Sequence, residues 1–365
     1  MARKLIARLA LVLVVFNACI RAPRTFAAAE TAKIDGVNCL DAAAFGQRFG
    51  LHSSWLEPEK RLLLQNATAR IEFEVNLRDV IFDGRRLFMG SPAVYRERSV
   101  WISAIDAEKL LTPLLRLGLD RPPPVRTIVI DPGHGLPDDG AENKRLGLKE
   151  RVLTLDVAQR LQKLLEAAGC RVVLTRTTDR AFSPDKKADL RHRDEIAAAV
   201  KADLFISIHF NFFAMPGIYG TETYRFTPRY QIPLSRSNHH PDDDEANPGD
   251  KNDYWNTVLA YCIHRTLLGE IGSADRGLRH NDYAVLRLAP CPAVLIESGY
   301  ITNDAEGRKI ATAAYRQHIA EGIAAGIRAY ASLGLPPPSP PPPAVAPAPR
   351  STPPAGSSLP LPAKK

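Results

Sequence analysis

The sequence predicts an α/β domain, its mostly parallel central sheet flanked by helices, preceded by a small α+β module. Three apolar runs that each stop abruptly at a glycine or a charged residue predict the sheet. A long stretch of helical periodicity between the first two supplies the helical layer, and a change of pattern before residue 118 sets the module apart. The first run, Thr127 to Gly135 (TIVIDPGHG), breaks at Asp131, Pro132 and Gly133. It reads as a buried strand that delivers His134 at its C-terminal end, where open α/β sheets place their ligands. Leu148 to Gly169 carries apolar residues at Val152, Leu155, Leu161, Leu164 and Leu165, which is helical spacing closed by a glycine, with Glu150 in the first turn. Asp203 to Asn211 (DLFISIHFN) repeats the strand design with His209 at its tip, and Pro292 to Asn303 (PAVLIESGYITN) runs out into Glu297 and a glycine.

Two strand-end imidazoles can converge, and a carboxylate in a first helical turn is free to point toward them. His134, Glu150 and His209 would leave the fourth tetrahedral position of a zinc ion to water, as a catalytic zinc requires. Glu297 interrupts a run so apolar that mere burial would be expensive, so it is expected to face a site, as general base. The plainer alternatives are a helix-terminal acid favoured by the macrodipole for Glu150 and a structural carboxylate for Glu297. Asn211 and His280 are candidate substrate contacts. His52, His192, His264 and His318 read as ordinary surface or core histidines. His239 and His240, followed by Asp242, Asp243, Asp244 and Glu245, read as a solvated loop rather than a second metal site.

The 365 residues carry 48 Lys and Arg against 40 Asp and Glu, a formal charge of +8. Arg3, Lys4, Arg8, Arg21 and Arg24, with Arg350, Lys364 and Lys365, account for all of it, and no acid lies in residues 1–29 or 336–365. The middle is neutral, which removes the electrostatic support for a nucleic-acid partner. Residues 1–29 combine a basic start, the apolar run Leu9 to Phe16 and Ala27 to Ala29, the pattern of a secretory signal peptide. A membrane span would need about 20 apolar residues, so export without a stable span is expected, to the periplasm or the extracellular wall. A lipid-attachment signal at Cys19 fits poorly with Phe16 and Asn17 before it. Cys39, Cys170, Cys262 and Cys291 show no paired metal-ligand spacing and are expected to be reduced buried thiols.

Residues 34–117 form the accessory module: a capped short helix after Asp41, strands over Arg61 to Gln65 and Arg70 to Val75, a hairpin over Arg78 to Leu87, and a strand at Ser99 to Ser103 leading into a helix over Ala107 to Leu115. The strand-helix unit occurs twice, which suggests an internal duplication. Residues 118–126 are a Pro-rich linker, 127–333 the α/β domain, and 336–365, with 13 of the 30 prolines, a disordered tail. Residues 228–253, rich in Pro, Asn, Asp and Ser, interrupt the α/β domain. An insertion of that length is functional or disordered, and one of its acids is a candidate to mask the metal.

Asp131 to Gly135 (DPGHG), Lys149-Glu150, Ser207 to Asn211 (SIHFN) and Glu297 to Asn303 (ESGYITN) come in this order. With them stand Leu174 to Asp179 (LTRTTD), Leu190 with Arg193, Gly220 to Tyr224 (GTETY), and Asp275 to Gly277 (DRG) followed by Tyr283 to Arg287 (YAVLR). Any one of these is weak; together, over residues 125–330, they resemble the zinc-dependent N-acetylmuramoyl-L-alanine amidases of bacterial cell walls. The resemblance implies cleavage of the amide between N-acetylmuramic acid and the L-alanine of the stem peptide. It implies Zn2+ as cofactor and peptidoglycan as substrate, and it admits an activator protein. Phe210, Phe212 and Phe213 depart from the small residues usual after the second histidine, which bears on substrate preference more than on zinc. Residues 34–117 resemble the small module at the N-terminus of some copper amine oxidases and of many exported wall hydrolases, as a wall-targeting or partner-binding unit or as a packed spacer. A zinc peptidase acting within the stem peptide and a non-catalytic wall-binding protein are the alternatives.

Overall fold

The computed structural model describes residues 31–335; the expected signal peptide and Pro-rich tail lie outside the described residues. The chain opens with β1 (Thr31–Ile34) and β2 (Val37–Asp41), which runs straight into α1 (Ala42–Gln47). Asp41 caps that helix by accepting the Ala44 N–H at 2.6 Å. Then come β3 (His52–Glu57), β4 (Arg61–Gln65), β5 (Arg70–Glu74), β6 (Asp79–Phe82), β7 (Arg85–Phe88), β8 (Val94–Arg96) and β9 (Ser99–Ser103). The β6–β7 hairpin turns on Asp83 and Gly84, both at positive φ, as a two-residue turn demands. β9 runs directly into α2 (Ala104–Asp106), whose cap is Ser103, and the helix continues through a π-turn (Ala107–Leu111) to α3 (Thr112–Leu115). The two strand-to-helix units, β2–α1 and β9–α2, sit side by side because β2 and β9 pair antiparallel.

After residue 126 follow β10 (Thr127–Pro132), β11 (Glu142–Asn143), β12 (Leu148–Lys149), α4 (Glu150–Ala167), β13 (Arg171–Leu174), α5 (Lys186–Ala199), β14 (Leu204–Asn211), β15 (Thr221–Phe226), α6 (Asp253–Ile271), β16 (Asp275–Asn281), α7 (Ala284–Arg287), β17 (Ala293–Tyr300), α8 (Asp304–Ile310) and α9 (Ala313–Ala331). The main sheet has 11 strands in the order β13-β10-β14-β17-β15-β16-β7-β6-β5-β4-β3. It is mixed, which corrects the expected mostly parallel sheet. β13, β10, β14 and β17 run parallel, β15 lies antiparallel to β17, β16 is parallel to β15, and β7 to β3 form an antiparallel meander.

Alternate residues of the central strands serve two helical layers. Ile128, Ile130, Ile206, Ile208, Val294 and Ile296 pack with α4, α6 and α9, while Val129, Phe205, Ala293 and Leu295 pack with α5 and α7. Within α4 the buried stripe runs through Leu153, Val157, Leu161 and Leu165; Val152, which the sequence reading placed in the stripe, is exposed, one position away from buried Leu153.

The N-terminal strands do not form a free-standing layer. β7 joins β16 through Leu87 opposite Leu278, and Phe82 meets Tyr261 of α6 edge-to-face at 5.5 Å. Phe82, Leu87, Tyr261 and Leu278 belong to one continuous core. Polar contacts reinforce the joint: Thr257 donates to the Lys109 carbonyl at 2.7 Å, and buried Asp106 accepts from Gly90 N–H and from Gln231 Nε2, each at 2.8 Å. Cys39, Cys170, Cys262 and Cys291 are free thiols. No helix of the described residues is long and apolar enough to cross a membrane.

Candidate metal centre

β10 ends where Pro132 gives way to Gly133, and His134 follows in the left-handed region at φ 63°. A non-glycine residue holds that conformation only where its surroundings over-determine it. Two buried guanidinium groups do so. Arg193 donates to the Pro132 carbonyl at 3.0 Å and to the His134 carbonyl at 2.8 Å; Arg176 donates to Pro132 at 3.0 Å and to Gly133 at 2.8 Å. Arg193 is itself locked by Asp131 (2.7 Å) and Asp189 (2.7 Å), and Asp131 also accepts from Ser207 and Thr175. Position 133 must be glycine, since a Cβ there would stand 2.2 Å from the His209 ring.

His209 rises from the tip of β14, one strand over, and Glu150 from the first turn of α4. His134 Nε2 lies 3.1 Å from Glu150 Oε2, and His209 Nδ1 lies 2.9 Å from Glu150 Oε1. The ring centroids are 4.9 Å apart at a steep tilt. One donor atom from each of the three residues falls within 4.8 Å of the others, so the three side chains can share one ion. The donor set suits zinc: two imidazoles and a carboxylate, the last ionised. Burial works against ionisation of Glu150, but hydrogen bonds and charge from the two imidazoles outweigh it and hold the carboxyl well below its usual range. The Ala141 and Phe210 N–H groups also donate to it, at 2.7 and 3.0 Å. At His134 burial lowers the pKa, and Glu150 and Asp138 more than offset it, for a net rise. Asp138 Oδ2 sits 2.9 Å from His134 Nδ1, the outer partner that fixes a ligating imidazole's tautomer.

Glu297 stands directly opposite His209 in the β14–β17 register and is 9% exposed, with Oε2 unpaired by any protein donor. Burial first, then the Glu150 and Glu222 carboxylates, push its pKa well above the usual carboxylate range. Two clefts open here. One of about 270 Å3 is lined by His134, His209, Glu297, Tyr283, Leu190 and Lys186 among others; one of about 510 Å3 is lined by the three candidate ligands, Glu297, Asn211, Phe212, Glu142 and Lys144. Beneath the floor, buried Glu222 faces Glu297 across the β15–β17 pair. It collects Asn211 (3.0 Å), Tyr224 (2.6 Å), Tyr300 (2.9 Å), Arg276 (2.9 Å) and Arg279 (2.7 Å).

The structure thus brings His134, Glu150, His209 and Glu297 together and leaves Asn211 on the rim. His280 is a correction. It is fully buried on β16 opposite Arg225, its Nδ1 is 3.2 Å from Thr227 Oγ1, burial holds its pKa well below the usual value, and it lines neither cleft. No residue of the 228–253 insertion lines either cleft, so none of its acids masks the candidate metal site here. β15 runs antiparallel to β17, so its exit, where the insertion begins, lies at the opposite end of the sheet from Glu297. There the insertion walls a separate cavity of about 270 Å3, with His239 paired to Asp244 at 3.0 Å and His240 to Asp242 at 3.4 Å. Reasoning from sequence missed Asp138, Glu222 and the roles of Arg176 and Arg193. Asp138 carried a signal in its position four residues after His134; Glu222 carried one in its place within GTETY.

Residues 128–329 match the family model described as N-acetylmuramoyl-L-alanine amidase. The chain belongs to this family. Among curated amidases it is 33% identical over 204 residues to LytC of Bacillus subtilis (strain 168), covering 56% of this chain and 35% of that one. It is 31% identical over 236 residues to AmiC of Escherichia coli O6:H1 (59% and 54%). The chain thus spans about a third of LytC and about half of AmiC. Of solved structures, the catalytic domain of the amidase CwlV from Bacillus (Paenibacillus) polymyxa var. colistinus shares 30% identity over 57% of this chain and 99% of that one, with a TM-score of 0.46. The amidase CwlD from Clostridioides difficile, solved in complex with the GerS lipoprotein, shares 28% identity over 57% and 98%, with a TM-score of 0.47.

Proposed function

We propose that this chain is a zinc-dependent amidase that hydrolyses the bond between N-acetylmuramic acid and L-alanine of peptidoglycan, outside the cytoplasm, in wall remodelling or daughter-cell separation. The observation that carries the reading is the meeting of His134, Glu150 and His209 within 4.8 Å of one another, with Glu297 in register beside His209. His134, Glu150 and His209 would hold the ion, which when bound supplies a water whose pKa falls from about 15.7 to near 7 and polarises the scissile carbonyl. Glu297 does the proton work. Its unpaired Oε2 accepts the proton of the attacking water as the new C–O bond forms. It returns that proton to the alanine nitrogen as the C–N bond breaks. Burial and the neighbouring carboxylates favour its protonated form, and a cation held by Glu150 would lower its pKa and favour the ionised form that the base step needs. Asn211, on the cleft rim, is the candidate substrate contact. The residues 34–117 module is read as a spacer that packs on the amidase domain through β7 and the Asp106–Gln231 contact.

Metal content of the purified chain, together with product identification on intact sacculi, tests this. One zinc per chain, new N-terminal L-alanine and uncut glycan are expected. New amino termini within the stem would make it a peptidase, and sacculus binding with zinc but without products would make it a wall-binding protein.

A further inference from the structure

The strand that carries His209 runs on through three phenylalanines, and the structure treats them differently. Phe210 points into the core at 1% exposure, whereas Phe212 is 59% exposed. Phe212 lines the 510 Å3 cleft that also contains His134, Glu150, His209 and Glu297. A single exposed apolar side chain is ordinary on a protein surface, but the backbone that carries this one is held in place. The Phe212 N–H donates to Asn211 Oδ1 at 2.7 Å, and the Thr302 hydroxyl both accepts from the Phe213 N–H and donates to the Phe213 carbonyl, each at 3.1 Å. Asn211 is in turn tied to Glu222, and Thr302 sits just past the end of β17. The backbone that carries the ring is therefore tied on both sides to strands that carry the site.

We propose that Phe212 is a stacking platform for the glycan strand of the substrate. This inference rests on the amidase reading and deepens it. Glu142 and Lys144 of the β11–β12 hairpin contribute charged groups to the cleft, and Phe212 contributes an exposed aromatic side chain next to the buried Phe210. A wall substrate carries matching groups of both kinds. Its stem peptide is ionised and rich in amides, while each pyranose offers a flat face of C–H groups suited to the face of an aromatic ring. An aromatic wall beside the scissile amide thus selects the sugar side, and sugars neighbouring the cleaved muramyl residue supply the contact.

The test uses the full chain, its Phe212→Ala and Phe212→Trp variants, and two readouts. Calorimetric binding of a stem-free tetrasaccharide of alternating N-acetylglucosamine and N-acetylmuramic acid should weaken about tenfold in Phe212→Ala and persist in Phe212→Trp. For hydrolysis of the same tetrasaccharide carrying stems, Phe212→Ala should raise KM by a similar factor with kcat within about twofold, and leave KM for N-acetylmuramoyl-L-alanyl-D-isoglutamine, which lacks neighbouring sugars, unchanged. Equal tetrasaccharide affinity in the wild type and Phe212→Ala, or an equal KM rise on both substrates, overturns the proposal. Phe212-dependent glycan binding without release of L-alanine amino termini would sustain the platform and sink the amidase reading; cleavage with Phe212-independent binding would do the reverse.

Discussion

Replacing Arg176 with alanine should loosen the metal centre without touching a ligand. The guanidinium is 7% exposed and reaches five acceptors: the carbonyls of Pro132 (3.0 Å), Gly133 (2.8 Å), Arg151 (2.7 Å) and Thr178 (2.9 Å), and Thr154 Oγ1 (3.1 Å). Pro132 keeps Arg193 and Gly133 keeps the Thr154 hydroxyl at 2.9 Å when Arg176 is gone. Arg151 keeps the ladder bond of α4 and Thr178 is open to solvent, so neither carbonyl is orphaned. What is lost is a buried set of charge-assisted bonds, and the stability loss should be on the order of 1–3 kcal/mol. The larger consequence is at His134, whose left-handed backbone Arg176 helps enforce. Loss of an outer support of this kind costs about 10–100-fold in metal affinity. Chelator competition gives the zinc Kd and denaturant titration gives the stability. A destabilised Arg176→Ala protein that keeps its zinc Kd within about twofold would refute the claim that this side chain organises the site.

Glu297→Gln should retain zinc and lose about 10²–10⁴ in turnover, the share of a proton-transfer group; unchanged kcat would remove Glu297 from the reaction. Asp194, buried on α5 with neither oxygen paired, has its carboxyl pushed up to about 8 by burial and then by Asp131. Between roughly pH 4 and 8 the folded chain keeps a proton that the unfolded chain has lost, so this group's contribution is fully present in acid and fades as pH rises, by up to roughly 6 kcal/mol. Asp194→Asn should remove that fall from the difference between variant and wild-type stability curves, and parallel curves would count against it. Because β7 and β16 share one sheet and one core, the chain should melt in a single transition by calorimetry, and Phe82→Ala should lower it as a whole by about 3–5 kcal/mol. Two separable transitions would show that the N-terminal strands fold independently.

Much of the site was legible because its residues stand at abrupt ends of apolar strands. β10, β14 and β17 each announce themselves by a buried run and a sharp stop, and Glu150 by its place in a helix start. Legibility failed where strand direction and side-chain face depend on partners distant in sequence. Nothing local to Gly220–Phe226 says that β15 runs against β17, and that single reversal sends the insertion away from the candidate metal site. His280 sits in a strand, DRGLRHN, that has no apolar alternation to read, and its faces are assigned only by its neighbours β15 and β7. The joint between the halves was likewise invisible, since one pairing, Leu87 with Leu278, carries the sheet across it. The clustering of Glu222 with two arginines and two tyrosines needs three strands to be in place before it exists.

That shared sheet limits how such a chain can be recombined. Cutting away the first strands would strip the neighbour from β16 and bare a row of unsatisfied amides along a hydrophobic seam, an invitation to edge-to-edge aggregation. A shorter homologue built on the same amidase half therefore has to shield that border by some other means, with a loop, a helix or a second subunit. The front segment is a cover first, whatever else it recognises.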